Sequence, residues 1–270
     1  MTKSRELPRP ADRPEFAIMD GEVVPFSEAK ISIMAPALTF AVTIFEGLRG
    51  YWNEADGQLY VFRVDVHLER MRFGMRLIEL AEPPSEAEFA EQIIRVLRAN
   101  EMREDCYIRL QAYVDDWGDM AATEPVGSSA ICRRRPRAEA YLTGKHFMVA
   151  SWRRNADDAS PPRIKATANY LNSRLVGLEA KRAGFDGGII LNRDGTVSEG
   201  PGGCIFMLRH DRLTTPTVNA PCRLLMSATK GAAPVPVPPP MPAATKTMSA
   251  PSIMWETCSW LSFMAFRPTS

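Results

Sequence analysis

Pro161-Pro162-Arg163-Ile164-Lys165-Ala166-Thr167-Ala168-Asn169-Tyr170 carries one lysine between a proline pair and the opening of a helix. A lysine amine forms an imine with an aldehyde only when it is partly deprotonated and held still. Local desolvation and positive neighbours favour the first condition, and packing on a regular element the second. Small residues at Ala166, Thr167 and Ala168 leave room for a flat ring to approach. Taken alone the stretch says little, because a lysine just before a helix is most often a surface residue.

Downstream, Val197-Ser198-Glu199-Gly200 strengthens the reading. A pyridine nitrogen that faces a carboxylate stays protonated, and the protonated ring is an electron sink for amino-group chemistry. Glu199 follows a strand and precedes a Gly-rich turn, which would fix its carboxylate under such a ring. Upstream, Phe45-Glu46-Gly47-Leu48-Arg49 mixes aromatic, acidic and glycine positions among apolar ones. Phe62-Arg63-Val64-Asp65-Val66-His67-Leu68-Glu69-Arg70-Met71 joins a strand end to a helix, where an arginine can grip a phosphate by charge-assisted hydrogen bonds. Periodicity by itself leaves that run equally compatible with an ordinary solvated helix face.

Around these segments strand and helix signals alternate up to about residue 220. Phe16–Met19 and Val23–Phe26 flank Asp20-Gly21, a dipeptide suited to a tight hairpin. Leu59–Phe62 reads as a strand; Leu68, Met71, Met75 and Ile78 recur at helical spacing. Ser85 and Glu88 make a capping box ahead of Phe89, Ile93, Val96 and Leu97. Tyr107–Val114 and Phe147–Trp152 are β-type runs. Between them the basic, Pro-interrupted Arg133-Arg134-Arg135-Pro136-Arg137 reads as a solvated linker in preference to an anion-binding patch. Leu171, Leu175 and Leu178 mark a helix that stops at Gly184, a suitable C′ residue. Gly188–Leu191, Thr196–Ser198 and Cys204–Leu208 read as strands.

The expected organisation is a small N-terminal α/β domain over residues 1–132, a linker at 133–140, and a partial large domain at 141–220. Beyond it the composition breaks. Residues 221–270 hold one acidic residue, Glu256, of 32 in the chain, and nine of its 22 prolines. Proline lacks the amide proton, so the Pro-rich stretch 234–242 is excluded from helix and central strand. Ile253 to Phe266 is apolar without a clean period, a poor candidate for an ordered domain. A disrupted reading frame from about residue 219 is the favoured explanation.

Composition narrows the function classes. With 33 Lys+Arg against 32 Asp+Glu, the chain lacks the lopsided charge of a nucleic-acid or membrane partner. No run is apolar enough for a signal peptide or a bilayer span. Five scattered cysteines read as reduced thiols, so the cytoplasm is the expected compartment. Three histidines without ligand spacing speak against metal chemistry.

The run Ile44 to Arg49, the run Phe62 to Met71, Tyr107-Ile108-Arg109, Lys165 with Asn169-Tyr170, and Ser198-Glu199-Gly200 occur in this order and at similar spacing in branched-chain amino-acid aminotransferases. These are class IV, fold-type IV pyridoxal-phosphate enzymes, and the resemblance covers residues 15 to about 218. It implies an α/β (α+β) fold of two domains, the second incomplete, with pyridoxal 5'-phosphate as cofactor and a homodimer if the large domain folds. It implies roles position by position. Lys165 resembles the Schiff-base lysine and proton shuttle. Tyr170 resembles the tyrosine on the ring's phenolic oxygen, Glu199 the partner of the pyridine nitrogen, and Arg70 the phosphate-binding arginine. Phe45 and Arg109 match positions lining the substrate pocket, the arginine suiting a dicarboxylate co-substrate, and Gly47 sits in the same signature for backbone fit. The implied reaction is amino transfer between an apolar amino acid and an α-keto acid such as 2-oxoglutarate. D-amino-acid or amine transamination and aminodeoxychorismate lyase activity are alternatives within the fold, and an inactive remnant is an alternative outside it.

Three departures stand out. Phe40 replaces a frequent tyrosine, and Cys204 an asparagine. After Thr215-Pro216 the sequence lacks the Gly-Ile-Thr-Arg helix start whose amides bind the cofactor phosphate, and the later Gly-Thr loop.

Overall fold

Asp20 and Gly21, with φ of 48° and 83°, turn the chain between β1 (Phe16–Met19) and β2 (Glu22–Pro25), the positive-φ hairpin that this dipeptide favours. This computed structural model describes residues 13–137, 144–209, 212–216, 253–254 and 263–266. The chain divides into two units. Met1–Ala138, Ile164–Ala168 and Ser259–Ser270 form the first; Glu139–Arg163 and Asn169–Cys258 form the second.

In the first unit the hairpin is followed by α1 (Pro36–Thr39), β3 (Thr43–Asn53), β4 (Gln58–Phe62), α2 (Val64–Leu77), α3 (Glu86–Ala99), β5 (Cys106–Val114) and β6 (Val126–Arg134). With Phe263–Phe266, strand β13 of the chain, they make a seven-stranded sheet of order β13-β4-β3-β5-β6-β1-β2, antiparallel throughout. Arg63 enters α2 in a left-handed conformation, and Leu68, Met71 and Met75 fall on its buried side. At Ser85 the capping box closes: Ser85 Oγ accepts from the Glu88 N–H at 3.3 Å, and Glu88 Oε2 from the Ser85 N–H at 2.7 Å. α3 then buries Phe89, Ile93, Val96 and Leu97 against the sheet. Each such side chain contributes roughly 1.5–3 kcal/mol by leaving water, so this layer carries the unit.

Two regions differ from the sequence expectation. β6 continues through Arg133 and Arg134, the first residues of the stretch read as linker, which pair with Tyr107 and Cys106. β-ladder hydrogen bonds tolerate charged side chains that project from the sheet. The apolar run near the C-terminus, read as unpatterned, contains β12 (Ile253–Met254) and β13. Residues 263–266 pair with 59–62 of β4, whose edge would otherwise leave its N–H and C=O groups unpaired. The Pro-rich stretch 234–242 lies outside the described residues.

The second unit holds β7 (Phe147–Arg153), α4 (Tyr170–Arg182), β8 (Gly187–Leu191), β9 (Val197–Glu199), β10 (Phe206–Arg209), β11 (Arg212–Thr214) and β12. β7 and β8 are parallel, with α4 in the crossover between them, and β9 adds antiparallel to β8. β11, β10 and β12 form a separate three-stranded sheet. Gly184 follows α4 with φ of +80° as its C′ glycine. The helix buries Val176 and Ala180, not the leucines that marked it; Leu171 is 63% exposed. Gly188 explains the choice of face, because a Cβ there would lie 2.6 Å from Val176 Cγ1. The missing side chain lets α4 settle close on β8.

Candidate active site

Side chains alternate along β3, so Ile44, Glu46 and Leu48 turn toward the helical layer while Phe45, Gly47 and Arg49 turn to the other face. Phe45 is 3% exposed. Gly47 stands opposite Arg109 and Phe45 opposite Gln111 in the β3–β5 register. That diagonal brings the Arg109 guanidinium 4.0 Å from the Phe45 ring centroid, and Arg109 Nε donates to Gln111 Oε1 at 3.2 Å. Tyr107 fills the space above Gly47: a Cβ there would meet its hydroxyl oxygen at 2.5 Å. Arg133 and Arg135 in turn lie 5.5 and 5.4 Å from the Tyr107 ring centroid.

Lys165 reaches this face through backbone pairing. The Phe45 N–H donates to the Lys165 carbonyl at 3.0 Å, Ala166 bridges to Ile44, and Thr167 Oγ1 donates to the Ala41 carbonyl at 3.1 Å. Ile164 and Ala166 are buried in the core of the first unit. Their alternation turns Lys165 the other way, and its Nζ lies 4.9 Å from the Phe45 ring centroid. The structure therefore groups Lys165, Phe45 and Arg109.

Arg70 belongs to a second cluster, around a residue to which the sequence assigned no role. Glu46 has no solvent exposure. Its Oε1 accepts from Arg70 Nε at 2.6 Å; its Oε2 accepts from Arg70 Nη2 at 2.6 Å and from its neighbour Gly47 N–H at 3.3 Å. His67 Nδ1 stands 2.8 Å from the same Oε2. An ionised carboxylate only accepts, so that ring nitrogen carries the proton. Burial pushes the Glu46 carboxyl up, but the Arg70 charge and the hydrogen bonds from His67 and Arg70 outweigh it and hold the group at about 2. His67 and Arg70 are three residues apart on α2, hence on one helix face.

In the second unit Tyr170 opens α4 after a 3-10 turn, Thr167–Asn169, and is 38% exposed. Asn169 is buried, its Oδ1 accepting from Ser160 Oγ at 2.6 Å and Asn155 Nδ2 at 3.1 Å. Its Nδ2 donates to the Pro161 carbonyl at 3.0 Å, which fixes the chain just before the helix. Glu199 ends β9, and its Oε1 accepts from Arg154 Nη2 at 2.7 Å. Arg154 is another residue that the sequence reading missed. It follows β7, has 10% of its side chain exposed and borders a cleft of about 820 Å³ lined also by Asn192, Thr196, Ile205 and Thr215. Only its position within Trp152-Arg153-Arg154 at a strand end could have flagged it. Cys204 is partly buried. Among the described residues no group of His, Cys, Asp or Glu could hold a metal ion, and no helix is long and apolar enough to cross a membrane.

The family model for class IV amino-transferases matches residues 43–233. The chain belongs to the class IV aminotransferases. This aminotransferase is 38% identical over 210 residues to a probable branched-chain-amino-acid aminotransferase of Aquifex aeolicus, covering 76% of this chain and 67% of that protein. It is 35% identical over 209 residues to the branched-chain-amino-acid aminotransferase of Escherichia coli K12, covering 75% and 66%. The chain thus spans about two thirds of the length of the curated relatives that it matches. Among solved structures, the branched-chain aminotransferase of Thermoproteus uzoniensis with norvaline superposes with a TM-score of 0.71 at 33% identity, covering 77% of this chain and 70% of that one. The pyridoxal-phosphate form of the Thermobaculum terrenum enzyme gives 0.70 at 32%, covering 78% and 69%. The mixed α/β fold is that of fold-type IV.

Pyridoxal phosphate is the cofactor of this family, and each unit by itself holds side chains whose chemistry fits part of it. Lys165 supplies an amine beside an aromatic ring. Arg70 supplies a guanidinium anchored on a fully buried anion, with 21% of its side chain still accessible. Glu199, one quarter exposed at 24%, supplies a carboxylate fixed by Arg154.

Proposed function

We propose that this chain transfers an amino group from an apolar, branched-chain-like amino acid to an α-keto acid such as 2-oxoglutarate. The observation that carries the reading is the grouping of Lys165, Phe45 and Arg109 on one face of the first sheet, beside the relatives' shared activity. Pyridoxal phosphate, when bound, supplies the electron sink for charge left at the substrate α-carbon. The protein's own residues do the rest. Lys165 Nζ takes the α-proton as general base and returns it as general acid. Phe45 keeps water from that amine, and Arg109 orients the second carboxylate of a dicarboxylate co-substrate. Arg70 holds the cofactor phosphate, Tyr170 its phenolic oxygen and Glu199 its pyridine nitrogen, each role assigned from the family motif at that position. The 1–132, 133–140 and 141–220 organisation, a homodimer and a cytoplasmic location belong to the same proposal, supported by the motif order and the scattered cysteines.

A second reading, a catalytically impaired member, is favoured by one sequence observation: the absence of Gly-Ile-Thr-Arg after Thr215-Pro216. Charge-assisted contacts of about 1.5–3 kcal/mol each would be lost with those amides. One assay separates the two. Purified protein supplied with pyridoxal phosphate, L-leucine and 2-oxoglutarate is expected to form glutamate, and Lys165→Ala to form none. Folded wild-type protein that gives no glutamate with any apolar donor would establish the impaired reading. Pyruvate from aminodeoxychorismate, without amino transfer, would instead establish a lyase.

A further inference from the structure

Glu46 has no part of its own in the proposed reaction, yet it is a fully buried carboxylate bound to a residue that has one, Arg70. A carboxylate with no solvent exposure must be neutralised and saturated with donors, and this one receives four contacts from three residues. Two of those contacts, at 2.6 Å each, fork onto Nε and Nη2 of Arg70. A guanidinium is planar and rigid, so gripping one edge fixes the direction of the opposite edge. An unbraced arginine side chain would give up rotamer freedom on meeting an anion; here that ordering is completed when the chain folds. His67 completes the clamp from the turn before Arg70 on the same helix, so Glu46 is held from two positions of α2 at once.

We propose that Glu46, braced by His67, is a positioning residue that pre-aims Arg70 at the cofactor's phosphate. This rests on the reading of Arg70 as the phosphate-binding arginine. Glu46 touches neither substrate nor cofactor; it acts through Arg70, and its contribution is selectivity for a phosphorylated ring over the same ring without phosphate. Arg154 on Glu199 repeats the arrangement with the charges exchanged, a mostly buried arginine steadying a carboxylate.

The test compares dissociation constants for pyridoxal phosphate and for pyridoxal, measured by equilibrium dialysis on the full chain. In wild type the ratio favours the phosphorylated ring. Arg70→Gln tests the underlying reading, and an unchanged ratio in that variant shows that Arg70 does not bind phosphate. Given a collapsed ratio there, Glu46→Gln is expected to lower the preference by about tenfold or more, the size of one lost charge-assisted contact. A merely structural role would weaken both ligands alike and leave the ratio at the wild-type value, which overturns the proposal. Should Glu46→Gln fail to fold, Glu46→Asp decides on the same ratio. It keeps the charge but not the reach, so a partial loss of preference is expected and an unchanged ratio refutes the positioning role.

Discussion

The Nζ of Lys165 stands 4.9 Å from the centroid of the Phe45 ring, and the backbones of the two residues are hydrogen-bonded at 3.0 Å. One strand position therefore both anchors the lysine and supplies the surface beside its amine. Phe45→Leu keeps an apolar plug and removes the ring face. Cation–π contacts of about 0.5–2 kcal/mol predict a fall in kcat/KM of roughly two- to thirtyfold, with little change in Tm. Steady-state kinetics beside a thermal melt checks it; a large drop in Tm with kcat/KM intact would assign Phe45 to packing alone.

Arg109 sits one diagonal away on β5, over the same ring at 4.0 Å. Its loss should be felt by a co-substrate with two carboxylates and hardly by one with a single carboxylate. For Arg109→Met the KM for 2-oxoglutarate is expected to rise about 10- to 100-fold, as for a lost charge-assisted pair. The KM for 4-methyl-2-oxopentanoate should stay within a few-fold of wild type. Equal rises for both keto acids would remove Arg109 from a discriminating role.

The buried carboxylate of Glu46 makes stability depend on pH. Its folded value, about 2, lies below the ordinary 4.5, so the unfolded chain takes up the proton first as pH falls. The stabilisation is complete above about pH 4.5, declines as pH drops and is gone below about 2. Urea unfolding of wild type and Glu46→Gln should differ by about 2 kcal/mol less at pH 3 than at pH 6. A difference that is the same at both pH values means that Glu46 is not held ionised.

Gly47 is required for space rather than for turning. A methyl there would meet the Tyr107 hydroxyl at 2.5 Å and its ring carbons at 2.8 and 3.0 Å, so Gly47→Ala is expected to destabilise the fold by about 1–3 kcal/mol, as overpacking does. Adding Tyr107→Ala should recover part of that loss, because the two changes share one volume. Strict additivity in denaturant titrations would contradict the contact.

Local chemistry announces itself in this sequence, and long-range pairing does not. The Ser85–Glu88 capping box and the Asp20-Gly21 turn depend on residues a few positions apart, and both form as their patterns predict. Lys165 stands out as a candidate because its small neighbours and following helix are local too. Glu46 is opaque: an acid within Ile44–Leu48 reads as an irregularity, and its partners come 21 and 24 residues later, beyond an intervening strand. Strand β3 is hidden for the same reason, since Glu46, Gly47 and Arg49 break its apolar alternation. On α4 the leucines locate the helix but say nothing of its buried side, because a glycine on the neighbouring strand decides which face can approach.

The five residues Ile164–Ala168 belong to the first unit, while the chain on both sides of them belongs to the second. Severing the polypeptide between Ala138 and Ile164 would break the covalent path to this segment but not the backbone pairing that seats it on β3. A fragment that ends at Ala138 would leave Ile44 and Phe45 without their backbone partners Ala166 and Lys165. The first unit is therefore discontinuous in sequence, and no single cut along the chain separates it from the second.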